Sequence, residues 1–221
     1  MEFVIQVCAS ESEIKRRLEE SAYDIPYELI GADWDYTIVF DEVDEQIVDL
    51  LFDELDDIIY GVGELSLAET FVRDATEREI KVAVAESCTG GMLAAAITDV
   101  PGASAVLYEG IIAYSNDAKI DRLGVKVSTL GVKGAVSEDT AAEMAEGLLS
   151  ANVDLGISTT GIAGPTGDKT GKPVGLVCIA VSGGGTTDVY RNIYKGDRFT
   201  IRNKAKNCAL FYALKHVNKY N

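Results

Sequence analysis

Short apolar runs at Phe3–Cys8, Tyr27–Ile30 and Tyr36–Phe40 predict strands, the last two flanking an acidic turn. Apolar residues at helical spacing predict an amphipathic helix over Ile47–Ile59, with an acidic outer face. Ser10 with Glu13 has the form of a capping box, which starts a helix running through Glu20. The resulting β-α-β-β-α order describes a small α+β module. Tyr60-Gly61-Val62-Gly63 interrupts it and is the expected junction, giving domains 1–62 and 63–221.

Beyond the junction the period changes repeatedly between strand and helix. Ser66 is the expected N-cap of a helix to Arg78, and Lys81–Ala85 reads as a strand running into Glu86-Ser87-Cys88-Thr89-Gly90-Gly91. An alanine-rich helix, Met92–Thr98, follows. Gly110–Tyr114 reads as a strand that leads into a helix with Asn116 as its N-cap, and Ser137 caps a longer helix, Glu138–Ser150. Leu155–Thr159 is a buried-type strand ending in Thr160-Gly161-Ile162-Ala163-Gly164-Pro165. Val174–Val181 and Thr187–Tyr194 are adjacent strands joined by a glycine turn, and a long helix from Asp197 closes the pattern. Strands alternating with helices predict an α/β sheet covered on both faces.

Charge and cysteine usage narrow the function classes. Of the net charge of -16, residues 1–77 hold 22 acidic and 4 basic side chains, leaving 14 acidic and 16 basic in 78–221. The first third therefore repels phosphate and is a poor surface for nucleic acid, while the near-neutral remainder accepts a small anion at a local site. Cys8, Cys88, Cys178 and Cys208 are scattered, with no CxxC pair and no histidine cluster; they read as reduced thiols of a cytoplasmic protein, with no metal site. The start of the chain has no basic n-region, and no apolar stretch approaches membrane-spanning length, so neither a signal peptide nor a membrane role is expected.

Three segments rich in Gly, Ser, Thr or Asn fall after predicted strands: 86–91, 114–119 and 160–175. In open α/β sheets ligands bind at such strand ends. The first is a strand-to-helix turn whose glycines admit a ligand to the backbone, and Ser87, Cys88 and Thr89 are its candidate nucleophiles. The same turn serves equally as a helix N-cap that only binds phosphate. A serine needs a base. The sole histidine, His216, sits in the terminal helix beside lysine and asparagine and reads as a surface residue, which leaves a Ser–Lys pair. Lys119, in the first turn of its helix, is the lysine whose neutral form the macrodipole and partial burial would favour, with Asp117 opposing; a solvated lysine is the alternative. The glycine-rich 160–175 loop, with Lys169 and Lys172, suits an anion. Arg198 and Arg202, one turn apart, form either a phosphate clamp or surface salt bridges.

The motifs Ala85–Gly91, Tyr114-Ser115-Asn116-Asp117-Ala118-Lys119, Gly134-Ala135-Val136-Ser137-Glu138, Thr160–Pro165 with Lys172-Pro173-Val174-Gly175, and Gly196-Asp197-Arg198 together resemble the CinA C-terminal (PncC) family over about residues 64–215. The resemblance implies a three-layer α/β/α sandwich with a mixed sheet, usually dimeric, acting on nicotinamide mononucleotide as an amidase without metal or cofactor. Carried over by motif, Ser87 is the nucleophile, Lys119 its base and Tyr114 a positioning or proton-relaying group. Glu86, Cys88, Thr89, Gly90, Gly91, Asn116, Thr160, Gly161, Ala163, Gly164, Lys172 and Arg198 are the implied substrate-binding positions. Backbone N–H groups of the glycine turn would stabilise the oxyanion, and Cys88 remains the rival nucleophile.

Longer members of that family carry a further N-terminal domain linked to ADP-ribose pyrophosphatase activity, which is not expected here. Residues 1–60 resemble instead the small KH-like connector that precedes the amidase domain. They contain no GxxG clamp, so neither pyrophosphatase activity nor nucleic-acid binding is expected. The alternative reading is a catalytically silent nucleotide-binding regulatory protein, against which the retention of Ser87, Tyr114 and Lys119 together counts.

Overall fold

Phe3–Val7 (β1) occupies an inner position of an antiparallel sheet in the computed structural model, which describes residues 3–20, 25–41, 43–167 and 170–219. Glu11–Glu20 (α1), Tyr27–Ala32 (β2), Asp35–Phe40 (β3), Glu45–Leu55 (α2) and Ile59–Val62 (β4) complete this part, with strand order β2-β3-β1-β4. Ile5 pairs with Ile38, and their side chains join Val7, Phe40, Ile14, Leu18, Leu51 and Leu55 in one buried core. The capping box at α1 is half formed. Ser10 Oγ accepts from Glu13 N at 3.2 Å, but the Glu13 carboxylate turns to Arg16 and Arg17.

The expected junction at 60–63 is a strand. Ile5 pairs with Val62 and Gln6 with Gly61, so the amphipathic helix ends at Leu55 and β4 follows. Gly61 is there for proximity: a Cβ would stand 2.8 Å from Gln6 Oε1. The chain divides into two units, Met1–Thr70 and Phe71–Asn221. That division falls within Leu67–Glu77 (α3), beyond the boundary expected at Val62. A complete capping box starts α3: Ser66 Oγ accepts from Glu69 N, and Glu69 Oε2 accepts from Ser66 N.

The second unit runs Val82–Glu86 (β5), Met92–Thr98 (α4), Leu107–Ile112 (β6), Asn116–Leu123 (α5), Val127–Val132 (α6), Glu138–Glu146 (α7), Leu155–Gly161 (β7), Leu176–Gly183 (β8), Thr186–Ile193 (β9) and Arg198–Val217 (α8). Its sheet order is β6-β5-β7-β8-β9. The first three strands are parallel and the last two antiparallel, which makes the sheet mixed. β5 and β8 are buried at every residue, as sheltering on both faces requires. Ala83, Ala85, Cys178 and Ala180 pack on the side of α7, against Met144, Leu148, Ala141 and Ala145. With opposite parity, Val84 meets Ala94 of α4 beside Gly110, where a Cβ would lie 3.3 and 3.2 Å from their side chains. Helices α4 and α8 pack on each other along that face.

Several elements depart from expectation. β6 begins at Leu107. α7 stops at Glu146, and its cap, Gly147, abuts Leu123, where a Cβ would stand 1.9 Å from the carbonyl oxygen. Helix α6 was not anticipated; its Val127 and Val132 are 70% and 80% exposed, so no apolar face marks it in the sequence. Among the described residues, no helix is long and apolar enough to cross a membrane.

Candidate active site

The register sets Glu86, at the end of β5, beside Thr159 of β7 and Ile112 of β6, so the three parallel strands deliver their following loops to one edge. Ser87 N donates to Thr159 O at 2.9 Å, and the Thr89 and Thr159 hydroxyls lie 2.7 Å apart. Gly90 (φ 60) and Gly91 (φ 100) then turn the chain into α4 through the left-handed region. Glu86, expected at the substrate, points inward instead. Its buried carboxylate accepts from Gly91 N, Leu93 N and Ala94 N at 2.8, 3.1 and 2.8 Å, capping the positive end of α4. The Gly91 N–H is thereby occupied, as is that of Ser87. Neither can serve the oxyanion role expected of this turn.

Lys119 comes to the same edge from α5. Ser115, not Asn116, is the N-cap: its Oγ accepts from Ala118 N at 3.1 Å, and Lys119 N donates to Ser115 O. This geometry leaves Asn116 exposed on the outside and sends Lys119 inward, where the side chain is 1% exposed. Nζ lies 2.9 Å from Ser87 Oγ and donates to Ala113 O at 2.7 Å. Burial lowers its pKa from 10.5 to about 8. The solvated-lysine alternative is therefore excluded. A neutral Lys119 retains an N–H for Ala113 O and presents its lone pair to the serine hydroxyl.

Cys88 also lines the pocket, but burial pushes its thiol up to about 12, and a protonated thiol is a poor nucleophile. Thr89 is buried against Thr159 and does not reach the pocket.

The third segment forms the opposite wall. Thr160–Gly164, with Thr166 and Gly167, lines a cleft of about 320 Å³ together with Ser87, Cys88, Tyr114, Lys119 and Arg198. Ala135 and Val136, which belong to a motif noted in the sequence but were not read as ligand positions, complete the lining. They are held there by Thr160 Oγ1, which donates to Ala135 O at 2.7 Å, and by Lys172 Nζ, which donates to the carbonyls of Lys133 and Val136. Lys172 thus supports the wall instead of facing the cleft. Lys169 lies outside the described residues.

The two arginines part company. Arg198 donates to Gly164 O at 2.8 Å and to the Tyr114 hydroxyl at 3.1 Å, joining the second and third segments across the cleft. Arg202 donates to Cys88 O and Thr89 O, behind the first segment, and takes no part in a clamp. Among the described residues, the cleft lining contains two cationic side chains, Lys119 and Arg198, and no carboxylate. That balance suits an anionic ligand.

His216 is not on the surface. It is 2% exposed, with Nδ1 2.9 Å from Asp188 Oδ2 and Nε2 3.2 Å from Gly183 O. Gly183 pairs with Leu155 at the far end of the sheet from Gly161, so the imidazole still has no access to Ser87. Among the described residues, no group of three or more His, Cys, Asp or Glu side chains converges as a metal-holding set.

A family model described as the CinA C-terminal domain matches residues 64–217. A CinA-like protein of Kosmotoga olearia is 52% identical over 159 residues, covering 72% of this chain and 39% of that protein. One of Chlorobium limicola is 49% identical over 148 residues, covering 66% and 34%. The chain thus spans little more than a third of the length of these curated relatives. Among solved structures, a CinA superfamily protein of Klebsiella pneumoniae superposes with a TM-score of 0.68 at 33% identity, covering 70% of this chain and 97% of that one. A competence/damage inducible protein of Agrobacterium tumefaciens gives 0.66 at 41% identity, covering 69% and 93%.

Proposed function

The chain belongs to the family of CinA C-terminal domains, and from its site geometry we propose that it is an amidohydrolase that converts nicotinamide mononucleotide to nicotinic acid mononucleotide and ammonia. The observation that carries this reading is the 2.9 Å approach of a buried lysine amine to Ser87 Oγ inside a cleft that Arg198 also lines. Neutral Lys119 takes the hydroxyl proton as Oγ attacks the carboxamide carbon. The resulting ammonium returns that proton to the leaving nitrogen as the C–N bond breaks and ammonia departs. Water then attacks the Ser87 ester, giving up a proton to Lys119, which passes it to Ser87 Oγ as the acyl–oxygen bond breaks and the carboxylic acid leaves. Since the Ser87 and Gly91 N–H groups are occupied, the oxyanion must be met by other donors of the cleft wall. Arg198, fixed by Gly164 O and the Tyr114 hydroxyl, retains N–H groups for the phosphate.

The lowered amine pKa supports the reading, because about a tenth of Lys119 is then unprotonated at pH 7. Family resemblance further suggests a cytoplasmic homodimer and a connector role for the acidic first unit. The test is ammonia release from nicotinamide, its riboside, its mononucleotide and the dinucleotide. Release from the mononucleotide, lost in Ser87→Ala, supports the assignment. Tight binding of the mononucleotide without ammonia would assign the cleft to a regulatory binder.

A further inference from the structure

Arg202 stands one turn beyond Arg198 on α8 and is half-buried. Its guanidinium does not line the cleft. Nε donates to Cys88 O at 2.9 Å and an Nη to Thr89 O at 2.6 Å. These are consecutive carbonyls, the first two after the nucleophile. A planar fork that grips both fixes both peptide planes at once, since each peptide unit is rigid.

The rest of the turn is held by other groups. Ser87 N is bound to Thr159 O, the Thr89 side chain to that of Thr159, and Gly91 N to Glu86. Between these anchors, Arg202 holds the Cys88 carbonyl and shares the Thr89 carbonyl with Met92 N, which donates to it at a longer 3.4 Å. A shift of those planes is passed back through Cys88 to the Ser87–Cys88 peptide, and with it to the Ser87 hydroxyl. Gly90 belongs to the same device: a Cβ there would come within 3.4 Å of the Arg202 Nη.

We infer that Arg202 is a positioning residue for the nucleophile, locking the Cys88–Thr89 and Thr89–Gly90 peptide units so that the Ser87 hydroxyl stays within reach of Lys119. This rests on the hydrolytic reading above. Arg202 acts through the backbone and touches no reacting atom. Its loss therefore lowers turnover without weakening the substrate contacts made from Arg198 and the 160–164 loop.

The experiment compares Arg202→Ala and Arg202→Lys with the unsubstituted protein in two assays. In ammonia release from nicotinamide mononucleotide, R202A should lose about 100-fold in kcat, the scale of a small misplacement of a reacting group. KM should change less than about threefold and the apparent pKa of the rate should stay unmoved, because Lys119 is held by Ala113. Millimolar methylguanidinium should restore part of the rate. R202K keeps the charge but lacks the fork; it should lose about tenfold and is the variant read if R202A fails to fold in a thermal melt. The second assay uses p-nitrophenyl acetate, followed by mass spectrometry of the Ser87 peptide. The Oγ–acetyl bond forms, the bond to p-nitrophenolate breaks, and the serine proton passes to Lys119. R202A should acylate about 100-fold more slowly.

Parental kcat and acylation rate in R202A would overturn the inference. So would a loss in which KM rises as steeply as kcat falls and methylguanidinium restores nothing, since that describes general structural damage. If the unsubstituted protein acylates at Ser87 but frees no ammonia from the mononucleotide, the substrate assignment fails. Slower acylation of R202A would then still support the positioning role.

Discussion

Lys119 Nζ sits 2.9 Å from Ser87 Oγ and 2.7 Å from the Ala113 carbonyl oxygen. The carbonyl orients the amine, and burial removes the water that would otherwise keep it charged. Both partners come from short segments 32 residues apart in sequence, joined at the end of the parallel strands.

Removal of the hydroxyl separates the two adjacent candidates. Ser87→Ala should lower kcat/KM for the mononucleotide by at least about 1,000-fold. Cys88→Ala should retain most activity, because the buried thiol, raised to about 12, is protonated at working pH. The opposite ranking, measured as initial rates of ammonia release, would reassign the nucleophile.

The pH dependence follows from Lys119. Its folded pKa is lowered to about 8, so the neutral base gains population as pH rises. The rate constant kcat/KM should climb about tenfold per pH unit below that value and level off above it. A flat profile between pH 6 and 9 would contradict a lysine base.

Stability should also rise with pH, over the window that the same shift sets. The unfolded lysine titrates near 10.5, so between about pH 8 and 10.5 the unfolded chain binds more protons and stability rises with pH. Below pH 8 the full cost of the buried charge, about 3 kcal/mol, is present. The Tm of Lys119→Met, relative to the parent, should therefore increase as pH falls from 10.5 to 7.5. A difference independent of pH would show that the amine is not depressed.

Arg198 should discriminate by phosphate. Arg198→Ala is expected to raise KM for the mononucleotide about 10- to 100-fold, the worth of one or two hydrogen bonds between charged groups. Hydrolysis of the riboside should hardly change. Equal losses on both substrates would mean that Arg198 only fastens Gly164 and Tyr114.

Glu86 is expected to act through stability. In Glu86→Gln, an amide NH2 replaces one of the oxygens that accept from Gly91, Leu93 and Ala94. An acceptor set that loses one member should destabilise the protein by about 2–3 kcal/mol, read as a shift in urea midpoint. A midpoint within experimental error of the parent would rule out the capping role.

Local chemistry was legible along the chain. The strand-glycine-helix turn at 86–91, the Ser66 and Ser137 caps, and the alternation of strands with helices all follow from short-range geometry. The three loops that form the cleft could be named because each follows a strand, and strand ends are where loops of an α/β sheet gather. Gly61 was misread because glycine marks both chain breaks and close approaches, and only the pairing of β4 with β1 tells them apart.

What the sequence by itself determined is which residues carry reactive groups and which elements deliver them. Tertiary packing decided where those groups point: Glu86 into α4, Arg202 behind the nucleophile, Lys172 onto the wall, His216 into the far end of the core and Lys119 against Ser87. A long charged or polar side chain takes its direction from the partner that lowers its burial cost, and except for Glu86, whose partners follow in the next helix, those partners lie tens of residues away. Periodicity and caps are set within a turn or two, so they can be read in one dimension; desolvation and its compensation depend on the whole folded neighbourhood.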